Sequence, residues 1–147
     1  MGINLKDYYS QKQVMTLLEF EWRMQVVRWR ERYGIKFILI CDKPFYLRSS
    51  VDGYFQQYID EGVLSIFIFE EKRYKFERPN LDLDEWLPRC QALELFGHNA
   101  EYMYAISGVR TAMPMIRTRR AYGQNWFYRP DLERMKKMVE DDQLRLL

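Results

Sequence analysis

Four side chains near the N-terminus have the types and the spacing to contact the edges of DNA bases. Arg23 and Arg28 are five residues apart, about 140° around a helix, and they flank an outward arc that holds Met24 and Val27. Guanidinium groups can bond guanine bidentately, and apolar side chains can contact the methyl group of thymine. The pattern therefore predicts base contacts from this helical face; a solvated basic face is the simpler alternative.

A second group of cations occupies a segment that contains no acidic residue. From Arg110 to Arg129 the sequence has five arginines and neither Asp nor Glu. Arginines on a hairpin can follow a phosphate backbone or enter a narrow minor groove, although they also serve solubility. The predicted contacts of this kind are Arg117, Arg119, Arg120, Gln124 and Asn125, together with Lys43 at the tip of an earlier hairpin.

The sequence offers little for catalysis or metal binding. His98 is the only histidine, and no Cys, Asp or Glu stands at catalytic or metal-ligand spacing from it. There is no Gly-rich phosphate loop and no paired-carboxylate motif. Cys41 and Cys90 lack metal and redox spacing, and we interpret both as small buried residues. We expect no enzyme activity, no cofactor and no metal.

The composition is that of an ordinary globular protein. Hydrophobic residues make up 48% and charged residues 30% of the 147 positions, a length that suits one medium domain or two small ones. The net charge of +2 neither requires nor excludes nucleic acid. Because no segment resembles a signal peptide or a membrane span, we expect a cytoplasmic protein without membrane contact.

Two helices are predicted to carry the first group of candidates. Ser10 and Gln13 have the spacing of a capping box, which starts a short helix that residues 19–21 interrupt. A second helix is predicted over about residues 22–33, ended by Gly34. Its expected apolar stripe, at spacings of four, three and four, consists of Trp22, Val26, Trp29 and Tyr33.

Strand-like runs and a third helix complete this first copy. The runs cover residues 35–40 and 45–48, and a turn at 41–44 connects them. The third helix is predicted over about residues 50–59. The two strands are expected to form the hairpin whose tip holds Lys43.

The same order of elements returns in the second half of the chain. Helices are predicted from Pro88, over 99–107 and from Pro130, with strand-like runs at 115–120 and 126–129 before the last. Ala92, Leu95 and Phe96 match Val14, Leu17 and Leu18 at a constant offset of 78, and Arg129 matches Arg48 at an offset of 81. The sequence therefore predicts an internal repeat, with about three residues gained in the second copy.

Residues 63–78 are predicted to form a β-hairpin between the copies. Its first strand is apolar on both faces, so it needs cover on both sides. It either packs centrally between the copies or forms an interface with a partner. The expected organisation is an α+β chain with a first unit at 1–62, a hairpin connector at 63–83 and a second unit at 84–147.

Each copy resembles the winged helix-turn-helix of the excisionase and MerR-like superfamily. The first copy carries the resemblance in YYSQKQVMTLLEFEWRMQVVRWRERYG and FYLRSSVDGYF, and the second in LPRCQALELFGHNAEYMYAIS and WFYRPDLERM. The resemblance implies two tandem units in which the second helix enters the major groove and a two-stranded wing supports it. Three features depart from it: residues 19–21 replace a Gly-containing turn, the helix at 99–107 has no basic residue, and the connector is extra.

The resemblance implies a DNA-binding protein that is not an enzyme, with an architectural or regulatory role for a phage or mobile element. It would act as a recombination directionality factor or a transcription regulator. A protein-interaction factor that binds a regulator or recombinase is the alternative, and a small terminase-type recognition subunit is the third. The expected partners are double-stranded DNA and an integrase or another protein regulator. The chain is expected to be either a monomer with a pseudo-dimeric repeat or a weak homodimer.

Overall fold

The structure is a computed structural model that describes residues 2–95 and 116–140, the side chains of 138–140 excepted. The chain divides into two compact units. Residues Asn4–Asn80 form what we call the N-terminal unit, and Leu81–Leu147 with Met1–Ile3 form the C-terminal unit. Each unit combines helices with an antiparallel three-stranded sheet, so the predicted α+β class is confirmed.

The elements follow the chain in this order. In the N-terminal unit, a 3-10 turn at Leu5–Asp7 precedes β1 (Tyr8–Ser10), α1 (Gln11–Leu18), α2 (Arg23–Tyr33), β2 (Phe37–Ile40), β3 (Lys43–Leu47), α3 (Arg48–Asp60) and α4 (Ile66–Tyr74). In the C-terminal unit, the described elements are β4 (Trp86–Pro88), α5 (Arg89–Glu94), β5 (Thr118–Ala121), β6 (Gln124–Tyr128) and α6 (Arg129–Glu140). The helix predicted over 99–107 lies outside the described residues.

A capping box marks the start of α1, and a left-handed residue marks the end of both α1 and α2. Ser10 Oγ accepts from the backbone N–H of Gln13, and Gln13 Oε1 accepts from that of Ser10, so the predicted capping box is confirmed. Glu19 ends α1 with a left-handed backbone at φ 56°. Gly34 ends α2 at φ 63°, where a residue without a Cβ is least strained.

The predicted apolar stripe of α2 is half right. Val26 and Trp29 are buried, whereas Trp22 is 68% exposed and Tyr33 is 41% exposed. Trp22 is the N-cap residue, with an extended backbone. Its side chain therefore does not continue the helical face that the spacing assumed. Tyr33 occupies the last residue of α2, at the edge of the core.

The two sheets repeat each other residue by residue. Their strand orders are β1-β3-β2 and β4-β6-β5. Tyr9 pairs with Tyr46, and Leu87 pairs with Phe127 at the corresponding positions. The hairpins also correspond, because Ile40 pairs with Lys43 and Ala121 with Gln124. The offsets of 78 and 81 seen in the sequence thus hold for the strand registers.

Each hairpin closes through a two-residue turn with positive φ at both positions. The first turn is Cys41 and Asp42, at φ 51° and 63°, and the second is Tyr122 and Gly123, at 54° and 73°. This is the pattern of a type I′ turn, whose twist matches that of the flanking strands. The turn fixes the register of β2 against β3 and of β5 against β6.

The prediction of a β-hairpin at residues 63–78 is wrong, because this segment contains helix α4. A run that is apolar on both faces fits a short strand and a helix equally well, and periodicity alone does not separate them. Phe69 of α4 is buried and packs against Phe55 of α3, with ring centres 4.8 Å apart. The helix thereby belongs to the core of the N-terminal unit.

A polar network also holds α4. Arg73 donates from Nε to the hydroxyl of Tyr9 at 2.8 Å and pairs with Asp52 at 3.2 Å and with Glu70 at 2.8 Å. The Tyr9 hydroxyl donates to Asp52 at 2.6 Å. Burial, together with the Asp52 hydrogen bond, raises the pKa of Tyr9 above its ordinary value.

The interpretation of the two cysteines as small buried residues is also wrong. Cys41 and Cys90 are each partly exposed, and neither is a free thiol. Within residues 2–95 and 116–140, no helix is long and apolar enough to cross a membrane.

Candidate nucleic-acid interface

The outward face of α2 presents the first group of predicted contacts. Arg23 and Arg28 are exposed, Met24 is 57% exposed and Val27 is half-buried. In the described part of the chain, neither Arg23 nor Arg28 forms a side-chain hydrogen bond or an ion pair. Two cationic groups and a thioether are therefore available to a ligand on one helical face.

Contacts of Trp29 and Arg30 fix the orientation of α2. The indole of Trp29 lies edge-on to the ring of Tyr54, with centres 5.3 Å apart. Arg30 donates to the hydroxyl of Tyr46 at 3.1 Å, and its guanidinium lies 4.1 Å from the ring centre of Phe37. Arg30 thus ties the helix to the β2–β3 hairpin. The pKa of Tyr46 is raised above its ordinary value, and burial of its hydroxyl is the main cause.

Lys43 begins β3, Arg48 begins α3 directly after that strand, and the two residues have different surroundings. Lys43 is exposed beside the turn, as its predicted role in phosphate contact requires. Arg48 is buried: it donates to the backbone carbonyls of Tyr8 and Glu77, and its guanidinium lies 4.2 Å from the ring centre of Tyr9. Arg48 therefore stabilises the core of the N-terminal unit and is not a candidate for ligand binding.

In the C-terminal unit, aromatic rings support two of the candidate arginines. Arg117, 70% exposed, pairs with Asp131 at 3.3 Å and lies 4.9 Å from the ring centre of Tyr128. Arg119 lies 5.3 Å from the ring centre of Trp86. Trp86 and Tyr128 are cross-strand partners with ring centres 5.1 Å apart. The two cations are therefore held over a pair of neighbouring rings.

Arg120 bends over the turn of the same hairpin. It donates to Asn125 Oδ1 at 3.2 Å and to the carbonyl of Gly123 at 3.1 Å, and it remains exposed. Asn125 therefore has a structural partner and is a weaker candidate for ligand binding than its position suggested. Gln124 is half-exposed at the start of β6.

The structure thus brings the predicted residues other than Lys43 together in two groups, one in each unit. The first group, on one face of α2, consists of Arg23, Met24, Val27 and Arg28. The second group, on or directly before the β5–β6 hairpin, consists of Arg117, Arg119, Arg120, Gln124 and Asn125. Among the described residues, no cluster of three or more His, Cys, Asp or Glu side chains could hold a metal.

The sequence reasoning missed the exposure of Trp22, and it missed Trp86 and Tyr128, the rings beside the candidate arginines. The spacing of Trp22 from Val26 predicts a core position, and its place beside Arg23 was the available signal of a surface role. The ring pair under Arg117 and Arg119 depends on pairing across about 40 residues of sequence, which no local pattern reveals. Comparison of the chain with protein-family models, with curated proteins and with solved structures found no match.

Proposed function

We propose that this chain binds double-stranded DNA through tandem winged helix-turn-helix units. The N-terminal unit would read bases with α2, and the β5–β6 hairpin of the C-terminal unit would act as a basic wing on the phosphate backbone. The role would be architectural or regulatory, in recombination or transcription of a phage or mobile element. The last step depends on the resemblance in the sequence.

One observation carries the proposal. On α2, exposed Arg23 and Arg28 flank exposed Met24, while Val26 and Trp29 of the same helix are buried. A helix fixed on one side, with guanidinium and apolar groups on the other, has the side chains that bind guanine and thymine in a major groove. Two linked DNA-binding units also raise the overall affinity, because the second contact becomes intramolecular.

The direct test is binding of the full chain to labelled genomic DNA fragments, measured by fluorescence anisotropy at several salt concentrations. We expect the logarithm of the association constant to fall linearly with the logarithm of the salt concentration. We also expect some fragments to bind more tightly than a scrambled duplex of equal length. No binding to any duplex at low salt would overturn the proposal.

A second candidate is a protein-interaction factor on the same scaffold. Helix α4 and the residues just before it expose a set of large apolar side chains: Val63 at 74%, Ile66 at 46%, Phe67 at 83%, Ile68 at 54% and Tyr74 at 89%. Exposed aromatic and aliphatic side chains in one place are typical of protein-binding surfaces. A Phe67→Ala/Tyr74→Ala variant that binds DNA normally but loses a recombinase or regulator would favour this function.

A further inference from the structure

A groove of about 840 Å³ lies between α1 and the start of α2, beside the surface described above, with which it shares Arg23. Met15 and Phe20, both half-buried, lie in it, and both pack against the core of the N-terminal unit. Trp22 lines the groove while exposing 68% of its surface. The groove therefore combines an apolar lining with an indole that is largely in water.

Hydrogen bonds hold the backbone of Trp22 at the start of α2, so this helix end is not frayed. Gln25 Oε1 accepts from the backbone N–H groups of Trp22 and Glu21, both at 2.9 Å. The backbone N–H of Gln25 donates to the carbonyl of Trp22 at 3.1 Å. Trp, Arg and Met are enriched where proteins bind each other, and Trp22, Arg23 and Met24 are consecutive and exposed.

The charges around the groove are balanced. Lys12 and Arg23 are cationic, Glu19 and Glu21 are anionic, and Lys72 pairs with Glu19 at 3.0 Å. A phosphate backbone would meet two carboxylates here, which disfavours DNA as the occupant. A surface with both signs of charge can pair with a second copy of itself, because in a two-fold contact residue i of one copy meets residue j of the other and j meets i.

We propose that this groove binds the same groove of a second copy of the chain, each Trp22 entering the groove of its partner. Glu21 of each copy then faces Arg23 of the other. The inference stands apart from the proposed function and is tested without DNA. Because Arg23 belongs to both surfaces, self-association and DNA binding through α2 exclude each other at this residue.

The first experiment is sedimentation of the full chain over a range of concentrations, without DNA. We expect a monomer–dimer equilibrium whose dissociation constant rises at least about 30-fold in Trp22→Ala, as for the loss of a buried interface anchor. Leu39→Ala is the control, since Leu39 is a large apolar residue of the same unit, 60% exposed and outside the groove. Equal weakening by both variants, or a wild-type monomer at all concentrations, would overturn the proposal.

The second experiment exchanges the charges. Glu21→Arg and Arg23→Glu should each remain monomeric, because like charges then face each other across the two-fold axis. An equimolar mixture of the two variants should form a heterodimer, and the double variant should again form a homodimer. Dimer formation by both the mixture and the double variant supports the contact between Glu21 and Arg23. If both single variants dimerise like the wild-type chain, another surface mediates association and the proposal fails.

A third measurement separates this contact from DNA binding at the same groove. The emission of exposed Trp22 should become less accessible to iodide as the protein concentration rises, and Trp22→Phe should remove that change. If protection of Trp22 appears only on addition of DNA, the groove is a DNA contact and the proposed self-association is wrong.

Discussion

Asp131 Oδ2 accepts a hydrogen bond from the backbone N–H of Arg117 at 2.9 Å, which joins the first turn of α6 to the residues before β5. Ser50 Oγ accepts from the backbone N–H of Lys36 at 3.0 Å at the corresponding place in the N-terminal unit. Asp131 is also buried. The repeat therefore preserves a side-chain acceptor that ties the helix after each hairpin to that hairpin.

Replacing this acceptor should destabilise the chain. We expect Asp131→Ala to lower the free energy of unfolding by about 1–3 kcal/mol, the usual cost of leaving a buried polar group without its partner. Asp131→Ser should recover most of the loss, because Ser performs this role in the N-terminal unit. Urea unfolding monitored by circular dichroism measures the free energy of unfolding of both variants. Equal losses of stability in the two variants would contradict the role of residue 131 as a hydrogen-bond acceptor.

Truncation of an arginine on the outward face of α2 should reduce the specificity of the chain for its preferred DNA sequence. Arg23→Ala or Arg28→Ala should cost about 1–3 kcal/mol on the preferred DNA fragment if the residue contacts guanine, and much less on competitor DNA. Lys75→Ala is the control, since Lys75 is an exposed cation at the end of α4 and lies outside α2. Anisotropy with both DNAs makes the measurement. Equal losses on the two DNAs would make these residues phosphate contacts.

The arginines of the β5–β6 hairpin are expected to supply DNA affinity that does not depend on the base sequence. Arg119→Ala/Arg120→Ala should weaken binding to all duplexes alike and reduce the salt slope by about one unit for each phosphate that the variant no longer neutralises. Arg89→Ala, an exposed arginine on α5, should leave the slope unchanged. An unchanged slope in the double variant would remove this hairpin from the interface.

Truncation of two tryptophans at the start and in the middle of α2 should change the stability of the N-terminal unit by very different amounts. Trp29 is 5% exposed and Trp22 is 68% exposed. Trp29→Ala should destabilise the N-terminal unit by about 3–5 kcal/mol through a core cavity. Trp22→Ala should change stability by less than about 0.5 kcal/mol in dilute protein. Comparable melting temperatures for the two variants would show that the burial pattern of α2 is wrong.

Stability at alkaline pH should depend on Tyr54. Burial, followed by the neighbouring Tyr58 hydroxyl, raises the pKa of Tyr54 from 10.0 to about 12. The unfolded chain then loses this proton at lower pH than the folded chain, so the contribution of Tyr54 is complete below pH 10 and is lost as pH rises toward 12. Tyr54→Phe should show a shallower fall of melting temperature over this range. A fall as steep as in the wild-type chain would contradict the shift.

Features that depend on a few neighbouring residues were predicted well from the sequence. The capping box at Ser10 and the helix end at Gly34 involve interactions within one or two turns, and residue type decides them. Strands β1 and β4 were missed because each has only three residues and pairs with a distant hairpin. Tertiary context overrides local preference in such short segments.

The candidate site shows the same difference between features that depend on neighbouring residues and features that depend on distant pairing. Helical periodicity placed Arg23, Met24 and Arg28 on an exposed face, since burial of Val26 fixes the rotation of the helix. The predicted position of Trp22 is wrong because an N-cap residue does not follow the helical period. The aromatic support of Arg119 required the register of β4 against β6, which the sequence pattern did not contain.

The two sheets share one register, yet no paired strand position carries the same residue in both copies. Ile38 and Leu39 of the first hairpin correspond to Arg119 and Arg120 of the second. The pattern of burial and the geometry of the turn maintain the architecture, so the surfaces have been free to diverge. The two sheets therefore present different side chains on one strand register, so a ligand bound by one hairpin meets different chemistry on the other.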